Sequence, residues 1–300
     1  MKKNINLKIV IIFFVIGIIL ILGLGACYIY MLDQIENIGA NQDNIQLIES
    51  VNSQISQTKL IVIISIVIYT IISLLIGYFV LITLISTAIF LIFVIKDAPT
   101  VADPAEPFVR LKSDYALMLS QCILGIVAMM MPTLLENKFK IIIPSYMIIL
   151  YTIFLYAAIY LGEVKSFYYN ISNWDNILHT FSGAMIGALG FSIVTLLNKT
   201  EKVPMELSPL FVALFSFCFA VTLGVVWEFY EYTFDGLLGL NMQKFALENG
   251  TPLIGRAALA DTMMDLVVDA VGAFIMSVIG YISLKYNKGW IERLQVKMTK

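Results

Sequence analysis

The chain has 300 residues, 60% of them apolar and 13% charged, with a mean hydropathy of +0.89. Soluble domains run at about 45–50% apolar and about 25% charged, so an ordinary soluble domain is excluded. A net charge of −2 provides no basic face for nucleic acid, and the apolar runs are continuous rather than alternating with a period of two, which argues against a β-barrel.

The composition points to an all-α fold, a polytopic bundle of transmembrane helices whose first partner is the lipid bilayer. In chain order, the first apolar run is 9–32, after MKKNINLK. It contains GLGAC, which resembles a bacterial lipoprotein signal with Cys27 as the acylated residue. The run continues through YIYML to Leu32, whereas a cleaved signal has a core of about 7–15 residues, so a span is the expected reading. A 27-residue connection follows, in which Ile45, Ile48, Val51 and Ile55 recur at roughly helical spacing, as in a short amphipathic helix pair.

The next run, 60–95, has 36 residues. As one helix it would be about 54 Å long, against a hydrocarbon core about 30 Å thick. It is either one long helix projecting into water or two spans turning near Gly77. Then comes KDAPTVADPAEPFVR, a linker with three prolines, and the runs 115–135, 141–161, 177–197, 208–227 and 262–284. The expected organisation is an N-terminal transmembrane hairpin region over 1–96, a linker over 97–107 and a helical membrane domain over 108–300.

Lysine and arginine placement sets the expected topology, because cytoplasmic connections carry the excess. With the tail KYNKGWIERLQVKMTK inside, NKTEKVPMEL and ENKFK also fall inside, and 97–114, 162–176 and 228–261 fall outside. The N-terminus, with Lys2, Lys3 and Lys8, belongs inside as well, which requires 60–95 to cross twice. The expectation is eight spans, with seven as the alternative, in a multi-pass protein of the bacterial inner membrane with both termini cytoplasmic.

Cys27, Cys122 and Cys218 all lie within apolar runs, where packing is their expected role. For AMMMPTLL, core packing around a proline kink is expected rather than soft-metal binding. Gly183 and Gly187 form a GxxxG pair suited to close helix packing.

The chemistry-bearing residues gather in the last three runs. NWDNILHTFSGAMIGALG opens one with Asp175 and His179, GVVWEFYEYTFDG closes the next with Glu228, Glu231 and Asp235, and DTMMDLVVD opens the last with Asp261, Asp265 and Asp269. Consecutive spans alternate in direction, so these three ends share one membrane face. At about 100° per residue, each set falls within an arc of about 40–80° on its helix. Asp269 lies about 12 Å along the axis from Asp261, which carries the polar face into the bilayer. An acidic residue at the centre of a span costs roughly 2.5–3.5 kcal/mol on insertion scales and marks a functional site by default.

So many carboxylates in one low-dielectric space resist simultaneous ionisation. Protonation, pairing with cations, or bound metal would relieve them. His179 is the only histidine in the chain, and imidazole with carboxylates suits a first-row divalent metal. Asp175, His179, Glu228, Glu231, Asp261, Asp265 and Asp269 are therefore the candidate metal ligands, with a divalent metal ion as the expected cofactor and a lipid or small molecule as the expected ligand. The water-exposed alternatives are helix ends for Asp261 and Asp235, and an interfacial aromatic belt with Trp227, Tyr230 and Tyr232 for the glutamates.

At these motifs the chain resembles the YjdF-type family of bacterial inner-membrane proteins, over about residues 110–285. The resemblance rests on Asp175, His179 and Gly183 in a D-x-x-x-H-x-x-x-G pattern. It rests also on Glu228, Glu231 and Tyr232, and on Asp261, Asp265, Gly272 and Ala273. LIGRAALAD stands where the family has Gly-Thr-Gln-Gly-Asp before the last span. The resemblance implies a shared site and no particular reaction. Three functions stay open: a metal-dependent enzyme on lipid or envelope substrates, a cation or proton transporter, and a structural protein with a buried polar network. An intramembrane serine protease is disfavoured, since Ser182 sits on the same helix as His179, one turn away.

Overall fold

The computed structural model describes residues 45–101, 110–198, 207–247, 251–291 and 296–298. The 9–32 run and Cys27 lie outside the described residues. The described elements are α1 (Ile45–Asp97), α2 (Lys112–Phe139), β1 (Ile141–Ile142), α3 (Ser145–Leu155), π-helical turns over Tyr156–Val164, α4 (Phe167–Asn170), α5 (Trp174–Asn198), α6 (Pro209–Leu238), α7 (Arg256–Lys285) and β2 (Lys297–Met298). The fold is an all-α polytopic bundle, as composition demands. By contacts the chain divides into two units, Met1–Leu75 and Ile76–Lys300. Among the described residues of the first unit the structure is helical throughout.

Six helices among the described residues are long and apolar enough to cross a membrane: Val67–Asp97, Lys112–Phe139, Ser145–Val164, Trp174–Val194, Pro209–Leu238 and Arg256–Lys285. Among the described residues the count is therefore six, below the eight expected or the seven given as the alternative. The reason lies in 60–95, which is one unbroken helix through Gly77, where a Cβ would meet nothing within 4 Å. With a single crossing there, the parity that placed both termini on the inside loses its basis. The helical spacing at 45–55 belongs to the start of this same helix.

Capping follows local sequence. Pro209 sits in the first turn of α6 behind Ser208, whose hydroxyl accepts from the Phe211 amide at 3.3 Å. The helix ends at Gly239, in the left-handed region at φ 64°, which needs no Cβ. Asp114 accepts from the Leu111 amide at 2.7 Å to close the start of α2. The antiparallel pair β1–β2, Ile141 opposite Met298, ties the α2–α3 connection to the C-terminal tail. Those two segments therefore lie at the same end of the bundle.

One cluster of the second unit joins Val80, Leu84 and Leu91 of α1 to Met118 and Cys122 of α2 and to Leu155 and Ile159. Cys122 is fully buried there, whereas Cys218 is exposed. Met130 and Met131, expected in the core, are 57% and 42% exposed on the outer face of α2 beside Pro132. In a membrane helix that face meets lipid, where an apolar side chain loses nothing by pointing outward.

The closest packing is between α5 and α7. A Cβ on Gly183 would strike the Asp269 carbonyl, and one on Gly272 the Thr180 carbonyl, so the two backbones meet where only glycine fits. This contact, more than the Gly183–Gly187 spacing alone, sets the two polar faces against each other.

Candidate functional site

α5, α6 and α7 each turn one polar face inward at the same end of the bundle. His179, one turn and a half into α5, sits among three carboxylates. Its Nδ1 lies 3.3 Å from Asp269 Oδ2, and its Nε2 lies 3.7 Å from Asp175 Oδ1 and 3.8 Å from Asp265 Oδ2. Asp175 is its neighbour at i−4, while the aspartates on α7 reach it across the glycine contact. The Ser182 hydroxyl donates to the His179 carbonyl at 2.8 Å and to Asp269 Oδ1 at 3.1 Å. It is thus aimed at a carboxylate and a carbonyl rather than at the imidazole.

Ligand atoms of Asp175, His179 and Asp265 all lie within 4.8 Å of one another. Adjacent ligands at tetrahedral corners about 2.0–2.2 Å from a zinc ion stand roughly 3.3–3.6 Å apart. Two of the three spacings, 3.7 and 3.8 Å from His179 Nε2, are close to that, and the third is no more than 4.8 Å, so contraction would gather the triad about one small divalent cation.

Three residues that periodicity does not reveal complete the surroundings. Lys244, in the α6–α7 connection, pairs with Asp175 and lies 3.4 Å from Asp261 Oδ1. Gln243 donates to Thr262 Oγ1 at 2.9 Å and to Glu228 Oε2 at 3.4 Å. The Trp227 indole donates to Glu231 Oε1 at 2.9 Å, one turn along α6. The connection that carries Gln243 and Lys244 is itself fastened by Asp235, whose two oxygens accept from the Met242 and Gln243 amides at 2.8 and 2.9 Å. Asp235 is buried and serves this loop rather than the imidazole. Lys244 is the only lysine between Lys202 and Lys285, the one sequence signal that could have singled it out.

All seven candidate ligands thus gather at one end of the bundle, in different layers. Asp175, His179, Glu231 and Asp269 line a cavity of about 370 Å³, whereas Asp265, 2% exposed, is not among its lining residues. Glu228 and Glu231 are buried, not interfacial, whereas Tyr232 of the family motif is 71% exposed and points away from the site. The far wall of the cavity is apolar, with Leu124, Phe154, Ile159 and Ile186. It also holds the π-helical turns over Tyr156–Val164, where a widened helix leaves the Ala157 carbonyl to accept from the Trp174 indole at 3.3 Å. Tyr168 of α4 lies beneath the Lys244 ammonium, 4.9 Å from its ring centre. Burial, reinforced by neighbouring carboxylates, pushes the Tyr168 phenol above its ordinary pKa, so it remains a neutral donor.

The family described as "Predicted membrane protein (DUF2238)" matches residues 78–286. It is the family to which the YjdF-type resemblance refers, and the match reaches further toward the N-terminus than the motifs did, to Tyr78 within α1. An uncharacterized protein of Thermotoga maritima is 31% identical over 132 residues, which cover 43% of this chain and 58% of that protein. The chain therefore spans less than two thirds of that relative's length. No solved structure matches.

Proposed function

This chain belongs to that family of membrane proteins, and on that premise we propose that it is a divalent-metal-dependent enzyme acting on a lipid or cell-envelope intermediate. The observation that carries the reading is the convergence of Asp175, His179 and Asp265 on one point, at a depth where unpaired carboxylates are costly. A metal held there would activate water or neutralise a phosphate. Glu231 lines the same cavity, where a carboxylate accepts a proton from a group bound beside the metal, and Asp269 holds the His179 imidazole through Nδ1. The apolar wall formed by Leu124, Phe154 and Ile186 suits a hydrocarbon chain, so an amphiphile with an anionic head is the substrate class the cavity favours. With the lysine-bearing tail inside, the site opens toward the outer face.

The test is turnover of bacterial envelope lipids by protein reconstituted in liposomes, followed by mass spectrometry. Wild type supplied with Mn²⁺ or Zn²⁺ should generate a product that His179→Ala and chelated wild type do not. Cation flux without turnover would favour a transporter instead. Identical behaviour of wild type and His179→Ala would overturn the proposal.

A further inference from the structure

A second cavity, of about 230 Å³, adjoins the first: Glu163, Tyr169 and Asn241 line both. Its walls come from the start of α2, from the 163–169 segment and from the α6–α7 connection. They carry two charges that the metal reading leaves unused. Arg110 stands two residues ahead of α2, and its guanidinium is held by neutral groups. Nη1 donates to Met118 Sδ at 3.6 Å, and Nη2 donates to the Val164 carbonyl at 3.3 Å and to the Ser166 hydroxyl. That engages three of the five N–H donors an arginine carries. Glu163 lies next to Val164 in the π-helical turns, a widened helix of the kind frequent at functional sites. The ion pairs among the described residues involve His179 and Lys244, and none includes Arg110 or Glu163. The other carboxylate on this wall, Asp114, is occupied by the Leu111 amide.

One cavity thus presents a guanidinium and a carboxylate that do not pair with each other. Hydrogen bonds from Arg110 to the segment carrying Glu163 hold the two at a set separation. A lone anion there would face Glu163, and a lone cation would face Arg110. A ligand bearing both signs satisfies the two together. We propose that this second cavity binds an amino-acid zwitterion, with its ammonium against Glu163 and its carboxylate on the open donors of Arg110. Hydrogen bonds between ionised partners are the strong ones, so each pole contributes to choosing the ligand. The inference rests on the reading above and deepens it by naming the head of the amphiphile. The hydrocarbon chain lies along the apolar wall of the first cavity and a phosphate sits beside the metal ligands. The head then passes Glu163, which stands on both walls, to reach Arg110. A glycerophospholipid whose phosphate carries serine has this order of chain, phosphate and zwitterion. The free amino acid offers the same terminal chemistry as a soluble ligand.

The experiment uses full-length protein in detergent, treated with chelator so that binding is read apart from any metal, and titrates dihexanoyl phospholipids by calorimetry. Wild type should bind the serine lipid about tenfold or more tighter than the ethanolamine lipid, and the ethanolamine lipid tighter than the glycerol lipid. Arg110→Gln should erase the preference for serine over ethanolamine, which differ by the carboxylate. Glu163→Gln should erase the preference for ethanolamine over glycerol, which differ by the ammonium. Each preference is a ratio of two affinities on one sample, so it does not depend on how much of a variant is folded. Free serine bound as tightly as the serine lipid, with the same two dependences, would support the site and identify the amino acid itself as the occupant. Equal affinities for the three lipids in wild type, no binding of any, or preferences that survive both substitutions would overturn the proposal. Preferences found in a protein that proves to hold no metal would leave this cavity standing and bring down the metal reading alone.

Discussion

Replacing Gly272 by alanine tests the contact on which the site's geometry depends. The new Cβ would strike the Thr180 carbonyl and stand 3.1 Å from the Ala184 amide nitrogen, both backbone atoms that no rotamer change can move aside. Overpacking of this kind typically costs about 1–3 kcal/mol, and replacing a helical glycine by alanine returns about 1 kcal/mol. Because the opposing atoms are backbone, the upper part of the range applies, and the net loss is about 1–2 kcal/mol. For a domain of this size that lowers the unfolding midpoint by about 3–6 °C. Gly77→Ala is the matched control, since its Cβ meets nothing within 4 Å and only the propensity gain of about 1 kcal/mol remains. Thermal unfolding in detergent, followed by tryptophan fluorescence, should place Gly272→Ala below wild type and Gly77→Ala at or above it. If the two variants unfold together, the α5–α7 approach described here is wrong, and with it the juxtaposition of His179 with Asp265 and Asp269.

Other substitutions probe the loop and the ligands. Lys244→Met removes the ammonium shared by Asp175 and Asp261; metal-free protein should lose about 1.5–3 kcal/mol, the worth of hydrogen bonds to charged groups, and added Mn²⁺ should restore much of the lost unfolding midpoint. Asp235→Ala strands the Met242 and Gln243 amides, costing about 1–3 kcal/mol, and limited proteolysis should nick the 239–255 connection sooner than in wild type. Metal occupancy should fall as pH is lowered from 8 to 5, because imidazole and carboxylates bind metal only when deprotonated; equilibrium dialysis at each pH reads this, and occupancy that rises on acidification would contradict carboxylate–histidine ligation.

Much of this site was legible in the sequence because helices and membranes are both periodic. Spacings of three and four residues placed Asp261, Asp265 and Asp269 on one face of α7, and Glu228 and Glu231 on one face of α6. Alternating spans then brought those faces to one end. What periodicity does not encode stayed hidden. Gln243 and Lys244 sit in a connection whose path is set by Asp235 accepting two backbone amides, a contact between chain positions with no repeating relation. The π-helical turns over Tyr156–Val164 shape the cavity wall, yet YAAIYLGEV carries no mark that separates it from ordinary helix. The 60–95 run forms one long helix rather than two spans for a physical reason as well. Its length exceeds the bilayer, but a helix may run on into water, and Gly77 alone does not break one. Tyr232, adjacent in sequence to Glu231, faces away because neighbours on a helix stand about 100° apart.

The most direct measurement exploits the single histidine of the chain. With any histidine tag removed, Mn²⁺-loaded wild type can be studied by electron spin-echo envelope modulation, which detects nitrogen bound to the ion. The expected result is ¹⁴N modulation from the His179 imidazole, lost in His179→Gln even where manganese is still retained by the carboxylates. Manganese bound to wild type without ¹⁴N modulation would mean that His179 holds no metal, and the proposed centre at Asp175, His179 and Asp265 would be contradicted.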